Sequence, residues 1–234
     1  YNSSALFPTN AKQNMGVFGF RGYRMQVIKL RPVEYIPKTG ELSYYDELTI
    51  NINLVKTSVT SPLYRGLEED YQAISGMIDN KSALYSYDAA PKSGGRSYDL
   101  MILTTPALES SFQELEDYHD STGIPTEIHT TAEIGTLTPE GIRTFIRDNY
   151  LADGFQYLLI GADDDLIPAL DLYVQSSESD DPYIEIDMPG DIYYACLDGT
   201  WNFDGDTYWG EPTDGEGGGD VDLLAELYVG RLPV

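Results

Sequence analysis

The sequence is short of basic residues, histidine and cysteine, and each shortage excludes a class of function. Its 234 residues include 14 Lys or Arg against 39 Asp or Glu, a formal net charge of −25. A surface that negative repels phosphate backbones and anionic bilayers, so neither nucleic acid nor a charged membrane face is expected as a partner. A lone cysteine, Cys196, excludes an internal disulfide. His119 and His129, the two histidines, lie far from it in sequence, which leaves no zinc-ligand spacing. No apolar run approaches the roughly 20 residues that cross a bilayer, so no membrane span is expected. The chain opens at Tyr1 without a signal-peptide pattern and reads as a processed piece of something longer.

What is present is enough to fold. A hydrophobic fraction of 41% supports one core, or one core with a smaller satellite. Charge is unevenly spread: residues 1–65 are near balance, whereas Asp163 to Asp222 is crowded with carboxylates. Local crowding points to a bound cation more than to general salt adaptation.

Three textures follow one another. Up to residue 56 the pattern is β. Arg24 to Leu30 reads as a strand, Pro37 to Gly40 as a turn between strand-like flanks, and Leu48, Ile50, Ile52 and Leu54 alternate with polar residues as a half-buried strand. Residues 57–97 form a linker region with a short helix over Leu67–Ile78. Its Ala89–Arg96 stretch has the composition of an exposed processing segment, with Lys92 and Arg96 as basic targets.

From Tyr98 onward the pattern becomes α/β. Tyr98–Thr104, Pro125–Thr130 and Phe155–Gly161 read as buried strands. Between them, helices start at Thr105-Pro106 and at Thr138-Pro139. Leu108, Phe112, Leu115 and His119 form one helical stripe; Ile142, Phe145 and Ile146 form the other. Strand–helix alternation at this spacing predicts a three-layer parallel sheet of caspase or flavodoxin type, preceded by a small β element. Ile192–Leu197 and Leu227–Gly230 would add strands.

The chemistry-bearing stretch is Asp198–Glu211. Side-chain oxygens of Asn202, Asp204 and Asp206 alternate around a turn, the Tyr208 carbonyl follows, and Glu211 can close a shell, with Asp222 as a further donor. Hard oxygen ligands from one short loop suit structural calcium, whereas magnesium seldom uses an all-protein cage. Glycine and glutamate offsets differ from those of an EF-hand. Asp163-Asp164-Asp165, after the third buried strand, reads equally as a ligand rim or as a capping turn. Cys196, in an apolar setting with no histidine in an exposed turn, reads as core filler rather than as a nucleophile.

Several short motifs resemble the gingipain, or C25, family of cysteine peptidases: Tyr98–Thr104, Gly123-Ile124-Pro125-Thr126-Glu127, Tyr157–Gly161 through Ile167-Pro168, Gly190–Ala195 and Val229-Gly230-Arg231-Leu232-Pro233. Tyr35–Leu42 resembles the end of that family's propeptide. Ala162 is a departure, since it separates Gly161 from Asp163.

The resemblance implies that 1–56 belongs to a propeptide and 98–234 to the first subdomain of a caspase-like catalytic domain. It places the catalytic His and Cys downstream, so no catalytic residue is assigned here and Cys196 is not the nucleophile. It further implies structural calcium, a secreted parent enzyme acting on protein or peptide substrates, and the downstream subdomain as partner. The alternative is a non-catalytic, calcium-stabilised binding or structural module.

Overall fold

The computed structural model describes residues 2–53, 55, 61–87, 96–178, 181–215 and 220–234. Leu54, Lys92, most of the 89–96 stretch and Gly217 to Gly219 lie outside them.

The N-terminal part is built from two hairpins. Strands β1 (Lys12–Phe20) and β2 (Tyr23–Leu30) pair antiparallel with a bulge between Asn14 and Gly16. Strands β3 (Val33–Ile36) and β4 (Glu41–Tyr44) pair across the predicted Pro-x-x-Gly turn, where Gly40 takes φ +70°. Over its described residues the half-buried strand expected at Leu48–Leu54 does not form: residues 47–53 are irregular, and Ile52 is exposed. Alternation fits a pleat only where a partner strand supplies the ladder, and among the described residues none is paired there. Helix α1 (Glu68–Met77) matches its expected bounds closely and buries Ile74 and Asp70.

The second part is a four-stranded parallel sheet of β5 (Leu100–Thr104), β6 (Thr126–Thr130), β7 (Tyr157–Gly161) and β10 (Tyr228–Arg231), in the order β10-β7-β5-β6. Side chains alternate between its faces with period two. Leu100, Ile102 and Leu159 pack with Phe112 and Leu115 of α2 (Glu109–Thr122) on one side. Met101, Leu103, Leu158 and Ile160 pack with Ile142, Ile146 and Tyr150 of α3 (Pro139–Asp153) on the other. Helices on both faces make the three layers and explain why β5 is buried throughout.

Ends follow the chemistry of the caps. Thr138 accepts from Gly141 N–H with Pro139 next, while Gly123 and Gly154 close α2 and α3 in the left-handed conformation. Helix α2 starts later than Thr105-Pro106 implies. The Thr105 carbonyl accepts from both Leu108 and Glu109, a turn that precedes the helix proper.

Two features depart from expectation. A long hairpin, β8 (Leu170–Glu178) with β9 (Asp181–Gly190), follows β7. Ile192–Leu197, read as a strand, instead begins with a single helical turn, α4 (Ile192–Ala195). Its Tyr193, Tyr194, Ala195, Cys196 and Leu197 are all buried, and burial on every side erases the periodicity that separates turn from strand.

Candidate functional site

The acidic loop after α4 is held by apolar anchors. Trp201 is buried at φ +64° and packs edge-on against Tyr193, 5.7 Å between centroids. Its carbonyl accepts from Gly210 N–H, which closes the loop on itself. Asp214, fully buried, accepts from Phe203 N–H at 2.7 Å and Glu211 N–H at 3.0 Å. Asp220 accepts from Thr200 N–H at 3.0 Å and from the Thr200 hydroxyl.

On this frame Asp204, Asp206 and Glu211 converge, with carboxylate oxygens within 4.8 Å of one another. Asp204 and Asp206 also shape the turn, accepting from the N–H groups of Asp206 and Tyr208 at 3.3 and 2.6 Å. Asn202 donates to the Asp206 carbonyl at 3.0 Å, while its buried Oδ1 has no hydrogen-bond partner. Partial burial, with Asp206, Asp204 and Asp214 close by, raises the affinity of Glu211 for a proton. A dication would be attracted by the same field.

Asp222 is not brought to this cluster. Its Oδ2 accepts from Gly19 N–H at 2.6 Å and its Oδ1 from Leu224 N–H at 2.9 Å. Asp163 and Asp164 act as a capping turn: Asp163 receives Asp164 N–H and Asp164 receives Ala169 N–H. At the same sheet edge Arg231 donates to the carbonyls of Ala162 and Ile167 and forms a two-pronged pair with Asp191. Cys196 is buried, and its thiol is pushed up to about 12 by desolvation and by Glu226, Asp222 and Asp198. Burial of this kind disfavours the thiolate, the form in which a cysteine attacks.

A second functional element, unmarked in the sequence, is the contact between the hairpin part and the sheet part. The β1–β2 turn inserts its backbone into carboxylates from the C-terminal stretch. Arg21 N–H donates to Glu226 Oε1 at 3.1 Å, and Leu197 N–H donates to Glu226 Oε2 at 2.8 Å. Gly19 sits against Asp198, where a Cβ would come within 2.0 Å of Oδ2. The Arg21 side chain, buried at φ +49°, turns away to Asp70. Asp70 also binds Arg65, which lies over the Tyr150 ring at 3.7 Å and donates to the Phe155 carbonyl at 3.1 Å. Of the two processing candidates, Lys92 is outside the described residues. Arg96 is engaged rather than free, paired with Asp99 and 3.6 Å from Glu69.

A doubly covered parallel sheet, preceded by a docked β module, defines the class: an α/β domain carrying a pro-segment-like companion. Comparison with known sequences gives the family. The model of Peptidase family C25 matches residues 94–234, and that of the C25 propeptide matches residues 1–88. The chain belongs to peptidase family C25. Gingipain R2 of Porphyromonas gingivalis is 25% identical over 183 residues, covering 72% of this chain and 24% of the relative. Gingipain R1 of the same species is 23% identical over 177 residues, covering 72% of this chain and 17% of the relative. The chain thus spans about a quarter or less of the relatives' length. No solved structure matches it.

Proposed function

We propose that residues 1–88 act as the pro-segment and residues 94–234 as the first subdomain of a secreted cysteine endopeptidase acting on proteins or peptides. The catalytic His and Cys are then supplied by downstream sequence. The observation that carries this reading is the pairing of a propeptide match with a peptidase match on two parts joined by buried contacts. Cys196, buried and disfavoured as thiolate, supports inactivity of the chain alone. The purified chain is expected to cleave no peptide substrate, and extension through the downstream subdomain to restore cleavage. Activity of the short chain that vanishes in Cys196→Ala would overturn the assignment.

The same loop supports calcium. Asp204, Asp206 and Glu211, with the orphaned oxygen of Asn202 and the Tyr208 carbonyl, would supply hard ligands, and Asp222 is left out of the set. The ion's part is structural: it offsets the mutual repulsion of these carboxylates. Thermal melts should rise by about 5–10 °C in calcium relative to chelator, since a ligand selective for the folded state stabilises it. An unchanged midpoint counts against the ion. Maturation is proposed between the two matched regions, at Lys92 rather than at the ion-paired Arg96. N-terminal sequencing of matured material tests that choice. The buried Cys196 also fits a second reading, a non-catalytic calcium-stabilised module; a parent lacking a downstream His and Cys pair would favour it.

A further inference from the structure

The small sheet of β3 and β4 has one face that no described residue covers. Tyr35 stands opposite Leu42 and Val33 opposite Tyr44 across the hairpin. Phe7 bridges to Tyr35 on the other side of β3, through two backbone hydrogen bonds of 2.8 Å. Opposed residues of an antiparallel ladder share a face, and so do residues two apart along a strand. Phe7, Val33, Tyr35, Leu42 and Tyr44 therefore lie side by side, while Glu34, Glu41 and Ser43 take the reverse face. Phe7 is 68%, Leu42 63% and Tyr44 73% exposed, and none of the five joins a hydrophobic core.

This face carries no charge in a chain whose net charge is −25. It also sits where the charge is reversed: residues 1–45 hold six Lys or Arg against two Glu. Two copies that meet here bring together their least acidic parts. A strongly charged partner would find its complement elsewhere on the chain. The complement of an uncharged aromatic and aliphatic face is another such face, and each copy carries one.

We propose that this face pairs two copies of the chain, sheet against sheet across a two-fold axis. Such pairing sets the same patch on both sides and closes after two copies. Area sets its strength. Phe7, Leu42 and Tyr44 leave on the order of 400 Å² open, so two faces together bury roughly 800 Å². A stable specific interface buries about 1,200 Å² or more. Leu48 and Ile52, exposed in the segment after β4, continue the even spacing of Leu42 and Tyr44 and add to the apolar surface. The pair is therefore a weak one, in the micromolar range. It lies within residues 1–88, proposed above as the pro-segment, and does not depend on that reading.

Sedimentation velocity on the full chain, from about 1 to about 200 µM, spans that range. A monomer–dimer equilibrium is expected. Leu42→Glu combined with Tyr44→Glu puts four charges into the pair and should weaken it at least about thirtyfold. Tyr118→Glu, at an exposed tyrosine of α2, should leave it unchanged. Circular dichroism checks that the variants fold; if the double variant does not, Phe7→Glu takes its place. Salt gives an independent readout. Screening of the like net charges should tighten a pair held by uncharged faces as sodium chloride rises from about 0.05 to about 0.5 M. A monomer at every concentration, or a dimer indifferent to the charged variants, overturns the proposal. Association that loosens with salt overturns it as well, because basic residues of one copy would then be meeting acidic residues of another.

Discussion

Asp70 is the residue on which the contact between the two parts turns. It is fully buried and takes Arg21 from the hairpin at 3.2 Å and Arg65, at 2.7 Å, from the segment that reaches α3. Removing one member of such a buried group leaves desolvated charges without compensation, and the cost exceeds anything the intact group contributes. Asp70→Asn is expected to destabilise the chain by about 3–5 kcal/mol in urea unfolding. Exposed Arg147, 3.9 Å from Asp148, is the control; Arg147→Ala should cost under about 0.5 kcal/mol. Gly161 makes a different demand. At the end of β7 a Cβ would come within 2.3 Å of the buried Phe112 ring, so Gly161→Ala overpacks the sheet–α2 layer by about 1–3 kcal/mol.

At the scale of elements, Arg143 shows how a helix fixes a loop. Projecting from α3, it reaches the carbonyls of Cys196, Asp198 and Gly199 and lies 4.5 Å from the Tyr193 ring centre. Arg143→Ala strips those carbonyls of a charged donor and should cost about 2–3 kcal/mol by chemical denaturation. Arg143→Lys keeps the charge but lacks the planar fork, and is expected to recover only part.

This scale also separates what the residues reveal from what they conceal. Strands β5 and β7 were legible as short apolar runs, which cover on both faces favours, and helices α2 and α3 as stripes of period 3.6. Leu48–Leu54 alternates just as cleanly, yet alternation cannot announce that a partner strand is lacking. Asp204, Asp206 and Glu211 were found because their convergence is local. Asp198, Glu226 and Gly19 were not, since their meeting joins positions up to 207 apart. In the sequence Asp214 is one acid among many; its burial marks it as the loop's internal strut.

Taken whole, the molecule is dominated by acid, yet several of its fully buried side chains are phenols. Of 19 tyrosines, Tyr23, Tyr98, Tyr150, Tyr193 and Tyr194 lie in the two cores joined by the pro-segment contact. Desolvation raises the pKa of each above the usual phenol value. Only the neutral form fits the fold. A group whose folded pKa lies above its unfolded value contributes its stability fully below the unfolded pKa of about 10 and loses it as pH rises beyond that. Phenolate absorbance should therefore grow in two phases. The first comes from phenols left in contact with water and is reversible. The buried five follow in a cooperative phase that coincides with loss of far-ultraviolet circular dichroism. Tyr150 separates burial from bonding, because its hydroxyl is buried without a hydrogen-bond partner. Tyr150→Phe removes an unsatisfied group and a titrating proton together. It should leave stability at neutral pH unchanged or slightly higher and move the cooperative phase to higher pH. A late phase that stays where it was would mean that Tyr150 ionises within the folded state, which its fully buried position between Arg65 and Phe155 forbids.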